Sequence, residues 1–158
     1  MRITHSPFLP TLSLLLPVLA MACASSSPVR STSPADVVSP PDMDVAASMV
    51  VDQFLRAANE KDLDVMARLF GNREGPIGDQ KTNDLDRRMF VLASALRHDS
   101  YSIVRTEIVP GRRNEAKKII VNLHINQRSV DIPFTVVQAT GNRYLVEEFD
   151  LVKLLSGN

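Results

Sequence analysis

From Asp42 onward apolar residues recur at spacings of three and four, and from Tyr101 onward they alternate, so the chain reads as helices followed by strands. Asp42 or Asp44 is placed to cap a first helix with Ala46, Met49, Val50, Phe54 and Ala57 on one face and Asp52, Arg56 and Asn59 on the other. Asp62 caps a short second helix whose Leu63, Met66, Ala67 and Phe70 form one stripe, which Gly71 stops. A glycine-containing loop over 71–83 leads to a third helix carrying Leu85, Met89, Leu92, Ala93 and Leu96, with Thr82 or Asn83 as its cap.

Four runs then follow the strand period: 101–109, 117–126, 130–138 and 144–152, separated by the turns GRRN, QRS and TGN. Links this short join antiparallel neighbours, so the predicted class is α+β: three N-terminal helices packed on a four-stranded meander sheet. Ile119, Val121, Leu123 and Ile125 share one face of the second strand, as Val130, Ile132, Phe134 and Val136 do in the third, and these faces are expected to meet the helices. Pro133 cannot donate to a ladder, which predicts an edge or a bulge there.

The first 41 residues follow another pattern. After Met1-Arg2-Ile3-Thr4-His5, an uncharged apolar run extends from Phe8 to Ala22, too short for a span that needs about 20 apolar residues and interrupted by Pro10 and Pro17. Residues 1–22 therefore read as a signal peptide. Its end, Leu19-Ala20-Met21-Ala22-Cys23, resembles the bacterial lipobox, which implies cleavage between Ala22 and Cys23 and lipidation of the Cys23 thiol. Ala20-x-Ala22 also reads as an ordinary cleavage site that would release a soluble chain with a free thiol. The only cysteine of the chain stands at the one acylatable position, which favours lipidation. Residues 23–42 then form the lipidated cysteine and a linker: 11 of the 18 residues from 24 to 41 are Ser, Thr or Pro, too polar to repay their ordering entropy, so a disordered spacer is expected. It spans up to about 50 Å at roughly 3.1 Å per residue. Residues 43–158 are the folded domain. Ala24 after the cysteine, by resemblance to enterobacterial sorting, implies the periplasmic face of the outer membrane.

Charge narrows the partners. The chain balances 18 Lys and Arg against 18 Asp and Glu, and loss of the leader removes Arg2, so no basic stripe suited to nucleic acid remains. A single cysteine excludes an internal disulfide, and with His5 in the leader only His98 and His124 are left, so no metal site or cofactor is expected.

The segment VVDQFLRAANEKDLDVMARLFG (50–71), together with Arg143-Tyr144-Leu145-Val146, resembles the nuclear transport factor 2-like superfamily over roughly residues 43–155. That resemblance implies a curved sheet wrapping the first helix around a pocket, often in dimers, with acid-base residues inside the cone in its enzymes. None of their catalytic motifs matches residue by residue.

His124 alternates with Asn122 and Asn126 on the face away from the helices, which points to a surface or dimer-face histidine. His98, at the end of the third helix, is placed to cap its last carbonyls. Glu148 shares strand parity with Tyr144 and Val146; it is either a pocket carboxylate of raised pKa or, if a bulge lies near Glu147-Glu148, a solvent residue. Tyr101 is a pocket hydroxyl or an ordinary strand aromatic, and Asp131 faces solvent. Gly71, Gly75 and Gly78 lack the ending and the preceding strand of a phosphate loop, and read as turn glycines. Arg112-Arg113 and Lys117-Lys118 suggest a basic hairpin tip.

Two functions fit. The favoured one is a lipid-tethered, non-catalytic module that binds a small apolar ligand or an envelope protein, in the cone or on a sheet face mixing Ile120 and Val137 with Asn122, Thr135 and His124, with a homodimer through the sheet. The alternative is a ketosteroid-isomerase-like isomerase or lyase acting on a small apolar substrate through Glu148 or Tyr101.

Overall fold

Asp42 opens the first helix, accepting the Asp44 N–H at 3.3 Å, and the computed structural model describes the chain from there: residues 42–112 and 115–156. Helix α1 runs Met43–Glu60, α2 Leu63–Leu69 and α3 Leu85–Ala95. Between α2 and α3 lie two short strands, β1 (Gly71–Asn72) and β2 (Gly75–Pro76), and a 3-10 turn over Ile77–Asp79. Strands β3 (Ser100–Ile108), β4 (Ala116–Ile125), β5 (Arg128–Ala139) and β6 (Arg143–Phe149) pair antiparallel in the order β3-β4-β5-β6. The class is α+β, helices on a four-stranded meander sheet, as the change of period predicts.

The sheet faces also match their pattern. Ile119, Val121, Leu123, Ile132, Phe134 and Val136 are fully buried against the helices. On α1 the buried face is centred elsewhere than expected. Ala47, Val51, Phe54, Leu55 and Ala58 are buried, while Met49 is 53% exposed, because α1 is enclosed by the sheet on one side and by α2 and α3 on another. Phe54 stands at the middle, with ring centroids 5.8 Å from Phe70 and 6.3 Å from Phe149, and Phe149 stacks on Phe134 at 5.3 Å. Side chains thus occupy the space between α1 and the sheet where the cone pocket was expected.

Three boundaries differ from the sequence reading. The fourth strand ends at Phe149, and Leu151–Ser156 form a helix, α4. Asp150 starts it, its carboxylate accepting Lys153 N–H at 2.8 Å and its carbonyl accepting Leu154 N–H at 3.1 Å. Neither Thr82 nor Asn83 caps α3. The N-cap is Asp84, in a left-handed conformation with φ 60°, whose side chain makes no capping bond. Gly71 does not end α2 as a left-handed cap either; Phe70 leaves the helix in extended conformation and Gly71 begins β1.

Pro133 lies in a central strand, yet locally it borders an edge. Pairing with β6 stops at Phe134–Phe149, and the Pro133 carbonyl accepts the Asp150 N–H at 3.3 Å beyond it. Two further irregularities re-aim side chains. One residue, Val104, is extra in β3 between Ile103 and Arg105, and one, Glu147, is extra in β6 opposite Thr135 and Val136. β3 itself is an open edge, with Ile103, Val104 and Ile108 between 38% and 52% exposed.

The outer sheet face is less open than expected. Ile120, Thr135 and Val137 are buried, Val137 within a small cluster of Ala116, Ala139 and Leu145. Val109 packs on that cluster, and Arg112 donates two hydrogen bonds to the Glu147 carboxylate at 2.6 and 3.1 Å beside it. That removes most of the apolar content from the expected protein-binding face.

Candidate functional site

Beneath α3 a cleft of about 510 Å³ opens to the surface. Phe70 and Ile77 form one wall, and Met89, Val91 and Leu92 of α3 the other, with Asn83, Asp84, Arg87 and Arg88 at the rim. Local chemistry builds it in stages. The Asp62 carboxylate accepts the Val65 N–H at 3.0 Å and sets α2, whose last residue hands over to Phe70 in extended form. Phe70 bridges to Val146 of β6, and its carbonyl accepts the Ile77 N–H at 2.8 Å, so the loop is folded back against α2. Gly78 makes this return possible on its own account: a Cβ there would lie 3.2 Å from the Ala67 carbonyl oxygen. Arg87 precedes Val91 and Arg88 precedes Leu92 by one helical turn, so each guanidinium stem lies beside an apolar neighbour.

The cleft volume falls within the about 300–1,000 Å³ usual for small-ligand sites, and the mix of apolar walls with a few polar rim groups is of that kind. The sequence reading passed over it, because Arg87, Arg88 and Val91 fall on the side of α3 that its own periodicity assigns to solvent. Only the return of Phe70 and Ile77 turns that side into a wall.

A second cluster joins α1 to the start of β3. The Tyr101 hydroxyl donates to the Asp52 carboxylate at 2.5 Å, and Arg56 pairs with the same carboxylate at 3.0 Å. His98, buried, packs edge-on against Tyr101 at 5.1 Å. Asn59 accepts the His98 backbone N–H at 3.1 Å and donates to the His98 carbonyl at 3.0 Å. The ring nitrogen Nδ1 lies 2.8 Å from the Leu96 carbonyl and Nε2 3.2 Å from the Asn59 amide nitrogen, so Nδ1 carries the proton and donates while Nε2 accepts. His98 does close the carbonyl at the end of α3, as expected, as a buried clasp between α1, α3 and β3.

Burial pushes the Tyr101 phenol above its ordinary value, and its bond to Asp52 pushes it further, against an opposing pull from Arg56. A phenol held protonated contributes stability that is complete below the ordinary tyrosine value and is lost as pH rises through the raised one. The chain has two tyrosines, so in Tyr144→Phe the remaining phenol is expected to ionise above the usual tyrosine range in an ultraviolet titration. Asp52→Asn should bring it back down. Ionisation in the usual range with Asp52 present would show the pair to be open.

The two catalytic candidates are not brought together. Tyr101 pairs with Leu123 on the inner face, whereas Glu148, exposed, pairs with Thr135 on the outer face and accepts its hydroxyl at 3.1 Å. The extra residue at Glu147 reverses the parity, so Phe149 rather than Glu148 follows Val146 inward; of the two readings of Glu148, the solvent residue beside a bulge is observed and the pocket carboxylate is corrected. Glu148 borders a shallow outer cavity with Lys118, Pro133 and Asp150. His124 is exposed and bonded to Ser129 at 2.8 Å, as its alternation predicts. Asp131, half-buried, accepts from Asn122 at 2.7 Å on the same outer face. Of the expected basic tip, Arg112 is bound to Glu147 and Lys117 to Asp44 at 2.6 Å, while Arg113 lies outside the described residues. Among the described residues, no three His, Cys, Asp or Glu side chains converge to hold a metal ion, and no helix is long and apolar enough to cross a membrane. Ala22 and Cys23, the expected cleavage and lipidation site, lie outside the described residues.

No family model matches the chain, and no curated protein matches it. Two solved structures do. One is an NTF-2 like protein of unknown function from Silicibacter pomeroyi, with 14% identity and a TM-score of 0.46, covering 66% of this chain and 90% of its own. The other is an NTF2-like protein of unknown function from Cytophaga hutchinsonii, with 14% identity and a TM-score of 0.39, covering 69% of this chain and 94% of its own.

Proposed function

We propose that this chain is a lipid-anchored protein of the cell envelope whose nuclear transport factor 2-like domain is a non-catalytic module, binding a small apolar ligand in the α3 cleft. The observation that carries the binding reading is the cleft itself: Phe70, Ile77, Met89 and Leu92 face one open space of ligand size, with Asn83, Asp84, Arg87 and Arg88 at its rim. The anchoring reading rests on the sequence, on Cys23 at the end of an apolar leader and on the Ser/Pro-rich spacer after it. The alternative, an isomerase or lyase built on Glu148 and Tyr101, needs that carboxylate and that hydroxyl to face one substrate, and the carboxylate that Tyr101 does meet, Asp52, is already paired with Arg56. Glu148 and Tyr101 lie on opposite faces of the sheet, which favours the binding module.

Each half has its own test. Cys23→Ser is expected to move the protein from the membrane to the soluble fraction, and intact mass of the natural form to carry acyl groups. A variant that stays with the membrane, or a natural form of unmodified mass, overturns anchoring. For the cleft, the neutral fluorophore N-phenyl-1-naphthylamine should bind with a rise in emission, and Val91→Trp, at a position 54% exposed and so tolerant of change, should abolish that rise by filling the cleft. Equal emission in both proteins would place the probe elsewhere and remove the motive for the reading.

A further inference from the structure

The rim of the α3 cleft has a chemistry of its own. Among the described residues Arg56, Arg73, Arg105, Arg112 and Arg143 each pair with a carboxylate. Arg68, Arg87, Arg88, Arg97 and Arg128 pair with none, and of these only Arg87 and Arg88 border the cleft, together with a single acidic residue, Asp84. Two guanidinium groups against one carboxylate leave one positive charge to be matched, at the edge of an otherwise apolar space. Guanidinium groups suit a planar carboxylate, which takes paired N–H donors in one plane. The cleft is also of a size for one small molecule, well short of the surface a stable protein partner requires.

Resting on the reading of the cleft as the binding site, we propose that its ligand is a monomeric long-chain carboxylate. The acyl chain lies along Phe70, Ile77, Met89 and Leu92, and the carboxylate meets Arg87 and Arg88. Charge selects the ligand here: a neutral amphiphile of the same chain length gains the same apolar contact and leaves both guanidinium groups solvated.

Calorimetric titration of the full chain tests this, with Cys23→Ser introduced so that no acyl group of its own competes. Dodecanoate and dodecanol, both below the concentration at which they aggregate, are the two probes. Dodecanoate should bind about tenfold more tightly than dodecanol, a ratio equivalent to one charge-assisted contact at an open site. Arg87→Gln with Arg88→Gln, both at exposed positions, should abolish the ratio by bringing dodecanoate down to the affinity of dodecanol for the same variant; Val91→Trp should remove both ligands. Equal binding of the two probes overturns the carboxylate proposal and leaves the apolar cleft standing. Binding of neither overturns both. Capture by phosphatidylglycerol vesicles without binding of monomeric dodecanoate overturns the free-acid proposal in favour of a membrane surface.

Discussion

Phe54→Ala is expected to remove about 3 to 5 kcal/mol of stability, read as a shift in the denaturant midpoint with little change in slope. The size follows from position. Phe54 is fully buried, and its ring touches Phe70 on the helical side and Phe149 on the sheet side, so truncation opens a cavity that neither layer can close alone. A domain of this kind holds about 5 to 15 kcal/mol in total, so the variant should be marginal at best. Met49→Ala is the matched control. The helical stripe predicts burial for both residues, but Met49 is 53% exposed, and its truncation should stay within about 0.5 kcal/mol. Equal losses in the two variants would mean that α1 is seated about a different axis.

The second large effect is expected at Gly71. An alanine Cβ there would lie 2.3 Å from the Gly75 carbonyl oxygen and 2.8 Å from the Pro76 Cα, both backbone atoms that cannot step aside. Gly71→Ala should therefore separate β1 from β2 at a cost of about 2 to 3 kcal/mol, within the range for overpacking. The loss has a local signature. Exchange of the Ile77 amide hydrogen should quicken more than that of the β4–β5 ladder, since the Phe70–Ile77 bond is the next link in the loop. Because Ile77 is a wall of the cleft, bound N-phenyl-1-naphthylamine should also be weakened. Wild-type stability in Gly71→Ala would show that the two strands do not meet as described.

How much of this was legible varies with the range of the interaction. Helices α1 to α3 and strands β3 to β6 announce themselves through long stretches of one period, and the inward faces of β4 and β5 follow from alternation alone. Helix α4 did not, because Leu151-Val152-Lys153-Leu154-Leu155 suits either period and continues a strand without a glycine or proline between; its signal was Asp150 standing where a cap should be. At Glu148 the reading with a bulge, which turns it to solvent, is the one observed, although simple parity points inward. Alternation locates faces only while pairing stays in step, and nothing in Glu147-Glu148 marks which of the two is extra. The ion pairs Lys117–Asp44 and Arg112–Glu147 join residues far apart in the chain, so two of the four charges that looked like a basic tip are engaged. The cleft was invisible on the same grounds, since one of its walls comes from the loop and the other from a helix face that looks solvated on its own.

The open edge of β3 has a consequence for how the molecule keeps company with itself. A straight, half-apolar border of unpaired amides is a template on which another chain can add strand to strand. At Val104 the extra residue puts a step into that border, and next to it Arg105 and Glu107 hold each other at 2.7 Å, presenting paired charge in place of a continuous apolar rim. An irregularity of one residue thus interrupts the edge along which a further strand would have to pair.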